Sequence, residues 1–194
     1  MKQLIVLAFL WFFWIPVFAA PAISITPTSQ TIPSGSQLSF DIVISGLGGG
    51  IAIGTFDIAV EFDPTLLSFN NANFGNQLDL FGVGNVQLVT PSSGQIDLFE
   101  LSLESENDLI NLQASAFQLA SLSFSSLAVG NSPLTVFINV LGDAAGGSLS
   151  ASLQNGAVTI TAIPEPPIFA LLLVGLCLVA AAAHFSSGPT VCRG

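Results

Sequence analysis

The most constraining feature of this chain is a hydrophobic period of two across its middle. Leu38, Phe40, Ile42 and Ile44 alternate with Ser39, Asp41, Val43 and Ser45, and Phe56, Ile58, Val60 and Phe62 alternate with Thr55, Asp57, Ala59 and Glu61. Successive side chains of an extended strand point to opposite faces, so such a segment buries one face and leaves the other polar. Further runs at 23–26, 66–69, 86–90, 96–103, 119–125, 134–141 and 157–161 are bounded by Gly, Pro, Asn or Ser clusters, the usual punctuation of strands. Eight or nine short half-buried strands predict an all-β domain over 20–162, a sandwich of two sheets about 10 Å apart. Helical periodicity is confined to the two ends, apart from a turn or two within 107–116.

The charges narrow the chemistry. Of 194 residues, Lys and Arg together number 2, Lys2 and Arg193, against 12 acids, for a net charge of −10. Nucleic acid is excluded as a partner, because phosphate contacts need Lys or Arg. Both cysteines, Cys177 and Cys192, lie in the C-terminal segment, so no disulfide can staple the middle. A Ser or Cys nucleophile needs a basic partner, and no His or Lys occurs between Ala20 and Ile163, which excludes triad hydrolysis and zinc sites of the usual kind. Asp57, Glu61, Asp97 and Glu100 could formally serve as a glycosidase pair, but their positions read as solvent-facing alternates of strands. The expectation is a noncatalytic domain.

The ends read as addresses. Lys2 precedes twelve apolar residues, 4–15, then Pro16 and small residues at 17 and 19, which predicts a signal peptide over 1–19 cleaved after Ala19. At the other end, Pro164, Glu165, Pro166 and Pro167 break regular structure ahead of an apolar run at 168–185. As a helix this run measures about 27 Å, against a hydrocarbon core of about 30 Å, so it is predicted to be a short transmembrane helix. A plain membrane tether is one reading; a processing signal with a transient helix is the other. The Pro164-Glu165-Pro166 motif, the apolar helix containing Gly175 and the basic Arg193 resemble the PEP-CTERM sorting segment, over roughly the last thirty residues. The resemblance implies recognition by an exosortase-type enzyme and delivery to the cell surface or an extracellular polysaccharide matrix. Members usually close with a cluster of Arg or Lys; here Arg193 stands alone, with His184 nearby.

The stretch 54–69, GTFDIAVEFDPTLLSF, joins an alternating strand to an Asp63-Pro64 turn and a short apolar strand. It resembles the cohesin domain, as do the alternating residues of 116–124 and the closing Asn155-Gly156-Ala157-Val158-Thr159-Ile160. The resemblance extends more weakly over 23–160. It implies a nine-stranded jelly roll related to bacterial carbohydrate-binding modules, whose flat sheet in true cohesins docks a dockerin module.

Two smaller expectations concern ligands. Calcium takes carboxylate and carbonyl oxygens, and an acidic domain without cations repels itself. Glu104, Glu106 and Asp108 would share a face if extended, and Asp143 sits in a Gly-rich loop; these four are the candidate calcium ligands. Sugar binding is the alternative to protein binding, through a polar site around Asn70, Asn71, Asn73 and Asn76. Against it, the middle segment has no Trp or Tyr platform, and its Phe residues fall mostly at alternating positions expected in the core.

Overall fold

The computed structural model describes residues 20–163 and 168–186. The first stretch folds as a two-sheet sandwich, and the alternating runs become its strands. Among the described residues the strands are β1 (Ala22–Thr26), β2 (Ser29–Pro33), β3 (Gln37–Ser45), β4 (Ile53–Glu61), β5 (Leu67–Phe74), β6 (Asn85–Ser92), β7 (Gln95–Ser102), β8 (Phe117–Ser126), β9 (Gly130–Asp143), β10 (Ser152–Gln154) and β11 (Gly156–Thr161). A short helix, α1 (Glu106–Leu112), lies between β7 and β8. The first sheet has the order β10-β1-β3-β8-β5 and the second β2-β11-β9-β4-β7-β6.

Eleven strands stand where eight or nine are expected, because the additional ones are short edge pieces without an alternating apolar signal. The chain leaves the first sheet after β1 and enters the second as β2, which pairs in parallel with β11. The three residues of β10 pair in parallel with β1, and all three are exposed. Strand β5 also runs longer than the apolar 66–69, since its second half is Asn-rich and still pairs with β8.

The core follows from the alternation. Leu38, Phe40, Ile42 and Ile44 of β3 and Phe56, Ile58 and Val60 of β4 are all buried in one cluster. Phe124 of β8 is fully buried, with the rings of Phe62 and Phe69 edge-on to it at centroid separations of 5.2 and 5.9 Å. Burying each such side chain contributes about 1.5–3 kcal/mol, and edge-to-face ring pairs add a little more. The buried hydroxyls are satisfied: the fully buried Ser132 accepts the Asp63 N–H at 3.0 Å, and Ser126 accepts the Ser36 N–H at 3.0 Å, whereas the buried Oε1 of Gln30 has no hydrogen-bond partner. Gln113 closes the chain over the end of β4, where its amide donates to the carbonyl of Ile53 at 2.9 Å and accepts the Ile53 N–H at 2.6 Å. A side chain here does the work of a neighbouring strand.

The helix α1 corrects one expectation. Glu104, Glu106 and Asp108 do not alternate along an extended face, because Ser105 caps a helix whose first turn holds Glu106 and Asp108. The Ser105 hydroxyl accepts the Asp108 N–H at 3.2 Å and donates to its carboxylate at 2.6 Å, a capping arrangement that favours helix over strand at this point.

The second described stretch forms α2 (Ile168–Ser186), whose Leu171, Leu172, Leu173, Leu176 and Leu178 are exposed. The expected helix is therefore present; among the described residues no helix is long and apolar enough to cross a membrane. At about 1.5 Å per residue α2 is about 28 Å long, short of a hydrocarbon core of about 30 Å, and His184 falls in its last turn. The expected signal peptide at 1–19, the motif residues Pro164, Glu165 and Pro166, and Arg193 lie outside the described residues.

If the alternating core holds the sandwich together, Phe124→Ala removes the ring on which Phe62 and Phe69 converge. The expected loss is about 3–5 kcal/mol of unfolding free energy, measured by urea denaturation. A loss below about 1 kcal/mol would mean that the core sits elsewhere.

Candidate binding face

The outer face of the second sheet departs from the polar pattern its strands lead one to expect. In register across β6, β7 and β4, Val86 neighbours Leu101, which neighbours Thr55; one row along, Leu88, Phe99 and Asp57 align; in the next, Thr90, Asp97 and Ala59. Strand β9 adds Phe137 opposite Ala59 and Val140 opposite Asp57. Leu88 is 57% exposed, Val140 49%, Val86 47% and Phe137 43%, so Val86, Leu88, Leu101 and the half-buried Phe99 form one apolar patch on β6 and β7, and Phe137 and Val140 a second on β9, with Asp57 and Asp97 between them. Isolated exposed apolar residues are ordinary, but a contiguous patch marks a surface made to be covered.

The polar groups on this face are few and placed. Asp57 accepts from the Asn139 amide at 3.0 Å, and Asn139 is the residue skipped where the β4–β9 register shifts, so a bulge aims it. Asp97 accepts from Gln95 at 2.7 Å. A shallow depression of about 640 Å³ runs between Asp57, Leu88, Thr90, Asp97, Phe99 and Asn139. Apolar patches with two carboxylates between them suit a partner that offers apolar side chains around a positive charge.

Of the four carboxylates read as solvent-facing, Asp57, Glu61 and Asp97 lie on this outer side, but Glu100 does not. It shares the inward parity of Ile96 and Leu98 on β7 and is 1% exposed. The amides of Asn85 and Gln87 donate to its Oε1 at 2.6 and 2.9 Å. Burial pushes its carboxyl above the usual range, the two amides act against that, and the charge of Asp79 adds to it. The same parity rule that buries Glu100 exposes Phe99 and Leu101, and this signal was available in the sequence.

The candidate calcium ligands are dispersed in their roles. Glu104 accepts the Phe81 N–H at 2.8 Å, and Asp108 is held by the cap of α1. Asp143 accepts the N–H groups of Ala145 and Gly147 at 3.0 and 2.6 Å and so closes its own loop. Glu106 and Asp143 line one cavity of about 90 Å³. Among the described residues no group of three or more His, Cys, Asp or Glu is arranged to hold a metal ion. Asp63, at the turn after β4, accepts from the Thr65 hydroxyl and N–H, which lower its carboxyl below the usual range.

The asparagines of the candidate sugar site lie mostly on a strand. Asn70, Asn71 and Asn73 belong to strand β5, at the edge of the first sheet, and Asn76 alone of the four follows it. Phenylalanine is likewise not confined to the core, since Phe81 and Phe137 are exposed.

No protein-family model matches the sequence, and no curated protein is similar to it. Solved structures do match, and they define the fold as that of cohesin domains. A non-cellulosomal cohesin from the hyperthermophilic archaeon Archaeoglobus fulgidus superposes with a TM-score of 0.58 at 18% identity, over 74% of this chain and 93% of its own. The sixth cohesin of Acetivibrio cellulolyticus scaffoldin B, solved with a Cel5 dockerin, gives 0.60 at 20% identity, over 74% and 100%. A type I cohesin from Clostridium thermocellum, solved with a dockerin, gives 0.61 at 14% identity, over 74% and 100%.

The buried Glu100 generates a pH dependence of definite sign. Its folded carboxyl holds a proton to higher pH than the unfolded one, so its stabilising contribution is complete below the ordinary glutamate range and is lost as pH rises through the raised value. Melting temperatures measured across this range should fall more in the parent chain than in Glu100→Gln, which keeps an oxygen for Asn85 and Gln87. Parallel profiles would show that Glu100 ionises freely.

Proposed function

We propose that this chain is a noncatalytic, cohesin-like protein-binding module that is exported and routed to the cell surface or extracellular matrix. The observation that carries the reading is the exposed apolar surface of β6, β7 and β9, with Asp57 and Asp97 set between its patches. A dockerin-like module is the partner class this suggests, since fold neighbours have been solved with dockerins, and a partner face with apolar side chains and Lys or Arg would complement it.

The address is the second part of the reading. A signal peptide over 1–19 directs export, and an exosortase-type enzyme reads Pro164, Glu165, Pro166 and Arg193. The exposed apolar α2, at about 28 Å, engages the membrane transiently until the segment is removed. Mass spectrometry of the mature chain tests this part: an end near Pro164 is expected, and an intact Gly194 overturns processing in favour of a permanent tether.

Binding is tested with the full chain by titration calorimetry against a panel of dockerin-type modules. At least one should bind, and Leu88→Asp, which sets a charge in the apolar patch of β6 and β7, should weaken it by about 30-fold or more, corresponding to about 2 kcal/mol. Binding unaffected by both Leu88→Asp and Phe137→Asp would remove this face from the account.

A further inference from the structure

We propose that the chain has a second binding site, for a sugar unit of a neutral polysaccharide, in the cleft where the edge of the first sheet meets the β6–β7 turn of the second. The cleft has a volume of about 450 Å³, within the roughly 300–1,000 Å³ range of small-ligand sites. It is separate from the apolar face and does not rest on the function proposed for that face.

Its walls are fixed by backbone contacts. Phe62 N–H donates to the carbonyl of Gly94 at 2.9 Å, which ties the end of β4 to the β6–β7 turn. Gly94 has φ of 84°, and a Cβ there would come within 3.2 Å of both the Phe62 carbonyl and the Pro64 ring, so only glycine lets the turn approach this closely. On the opposite side, Asp63 ties down Thr65, its carbonyl accepts the Leu67 N–H at 2.9 Å, and Leu127 N–H donates to Leu66 at 2.8 Å. The rings of Phe62 and Phe69 are both held from behind by Phe124.

The lining selects the ligand class. Phe62, Phe69, Pro64 and Pro91 offer apolar surface, while Ser68 and Asn70 are among the hydroxyl and amide groups beside it, and no charged side chain lines the cleft. An anion is repelled by a chain of net charge −10. A cation finds no carboxylate in the lining, and a wholly apolar ligand would make no use of the amide and hydroxyl groups beside the apolar surface. A neutral polyol with C–H faces and hydroxyl edges meets both kinds of surface. The site also has a direction of extension. The Asn70 amide donates to Ser125 at 3.0 Å, and beyond it the outer face of the first sheet sets Asn71, Ser123 and Ser39 in one row and Asn73, Ser121 and Asp41 in the next. A glycan strand leaving the cleft therefore passes over hydroxyl and amide groups at strand spacing, about 4.8 Å apart.

Affinity gel electrophoresis of the full chain tests the proposal, with soluble mixed-linkage β-glucan, galactomannan or the anionic polygalacturonate cast in the gel. Retardation by at least one neutral polymer and not by polygalacturonate is expected. Asn70→Ala and Ser92→Glu should each lower the affinity about tenfold or more at unchanged melting temperature, while Leu88→Asp should bind as the parent does. Should Ser92→Glu fail to fold, Asn70→Ala decides alone. No retardation by either neutral polymer, or equal retardation of parent and Asn70→Ala, overturns the proposal.

Discussion

Burial of alternate side chains is the constraint on which everything else in this molecule depends. From Ala20 to Ile163 the chain has no Lys, Arg, His or Cys, so neither ion pairs with basic side chains nor disulfides can hold the sheets together. What remains is the packing of Phe40, Phe56, Phe124 and their aliphatic neighbours, set against the conformational entropy of a chain rich in Gly and Ser. Most polar groups in the interior are partnered, as at Ser126, Ser132 and Glu100, with the buried Oε1 of Gln30 an exception. Burial of the Glu100 carboxylate, which its two amide partners offset only in part, is why its proton is held more tightly than usual.

The same constraint shapes the two outer surfaces differently. With the core supplied by one parity of each strand, the other parity is free to vary, and the two sheets use it in opposite ways. The first sheet turns out Ser39, Ser121, Ser123, Asn71 and Asn73, groups that water solvates well and that offer little to a folded protein partner. The second turns out Val86, Leu88, Phe137 and Val140, which water solvates poorly. A sandwich with one wet face and one face carrying apolar patches is asymmetric in what it can recognise, and the acids set between those patches add a preference for positive partners. The lack of Lys on edge strands also leaves repulsion between acids, bulges and Gly or Pro breaks to discourage pairing with other chains.

Much of the architecture was legible in the sequence because period-two alternation is a direct image of a half-buried strand. The pieces that were not legible had specific causes. β2 and β10 are short edge strands whose exposed polar residues leave no alternation to read. Glu104, Glu106 and Asp108 look extended when only their spacing is considered, whereas Ser105 and Asp108 at capping distance decide for a helix. Glu100 was misplaced because acidity was weighed above parity: Ile96, Leu98 and Glu100 share one face, and this puts Phe99 and Leu101 on the other. The apolar binding face was hidden for the same reason, since exposed Phe137 and Leu88 resemble core residues until the register is known. The cleft at Gly94 depends on contacts between turns distant in sequence, which no local pattern announces.

The central claim is that the second sheet's outer face is the surface on which this chain recognises a protein partner. Hydroxyl-radical footprinting of the full chain, with and without a bound dockerin-type module, reads the side chains in question directly. The account predicts that Leu88, Phe99 and Phe137 are oxidised in the free chain and shielded in the complex, while exposed Leu127 and Val129 react equally in both. Shielding that leaves Leu88, Phe99 and Phe137 untouched would contradict it.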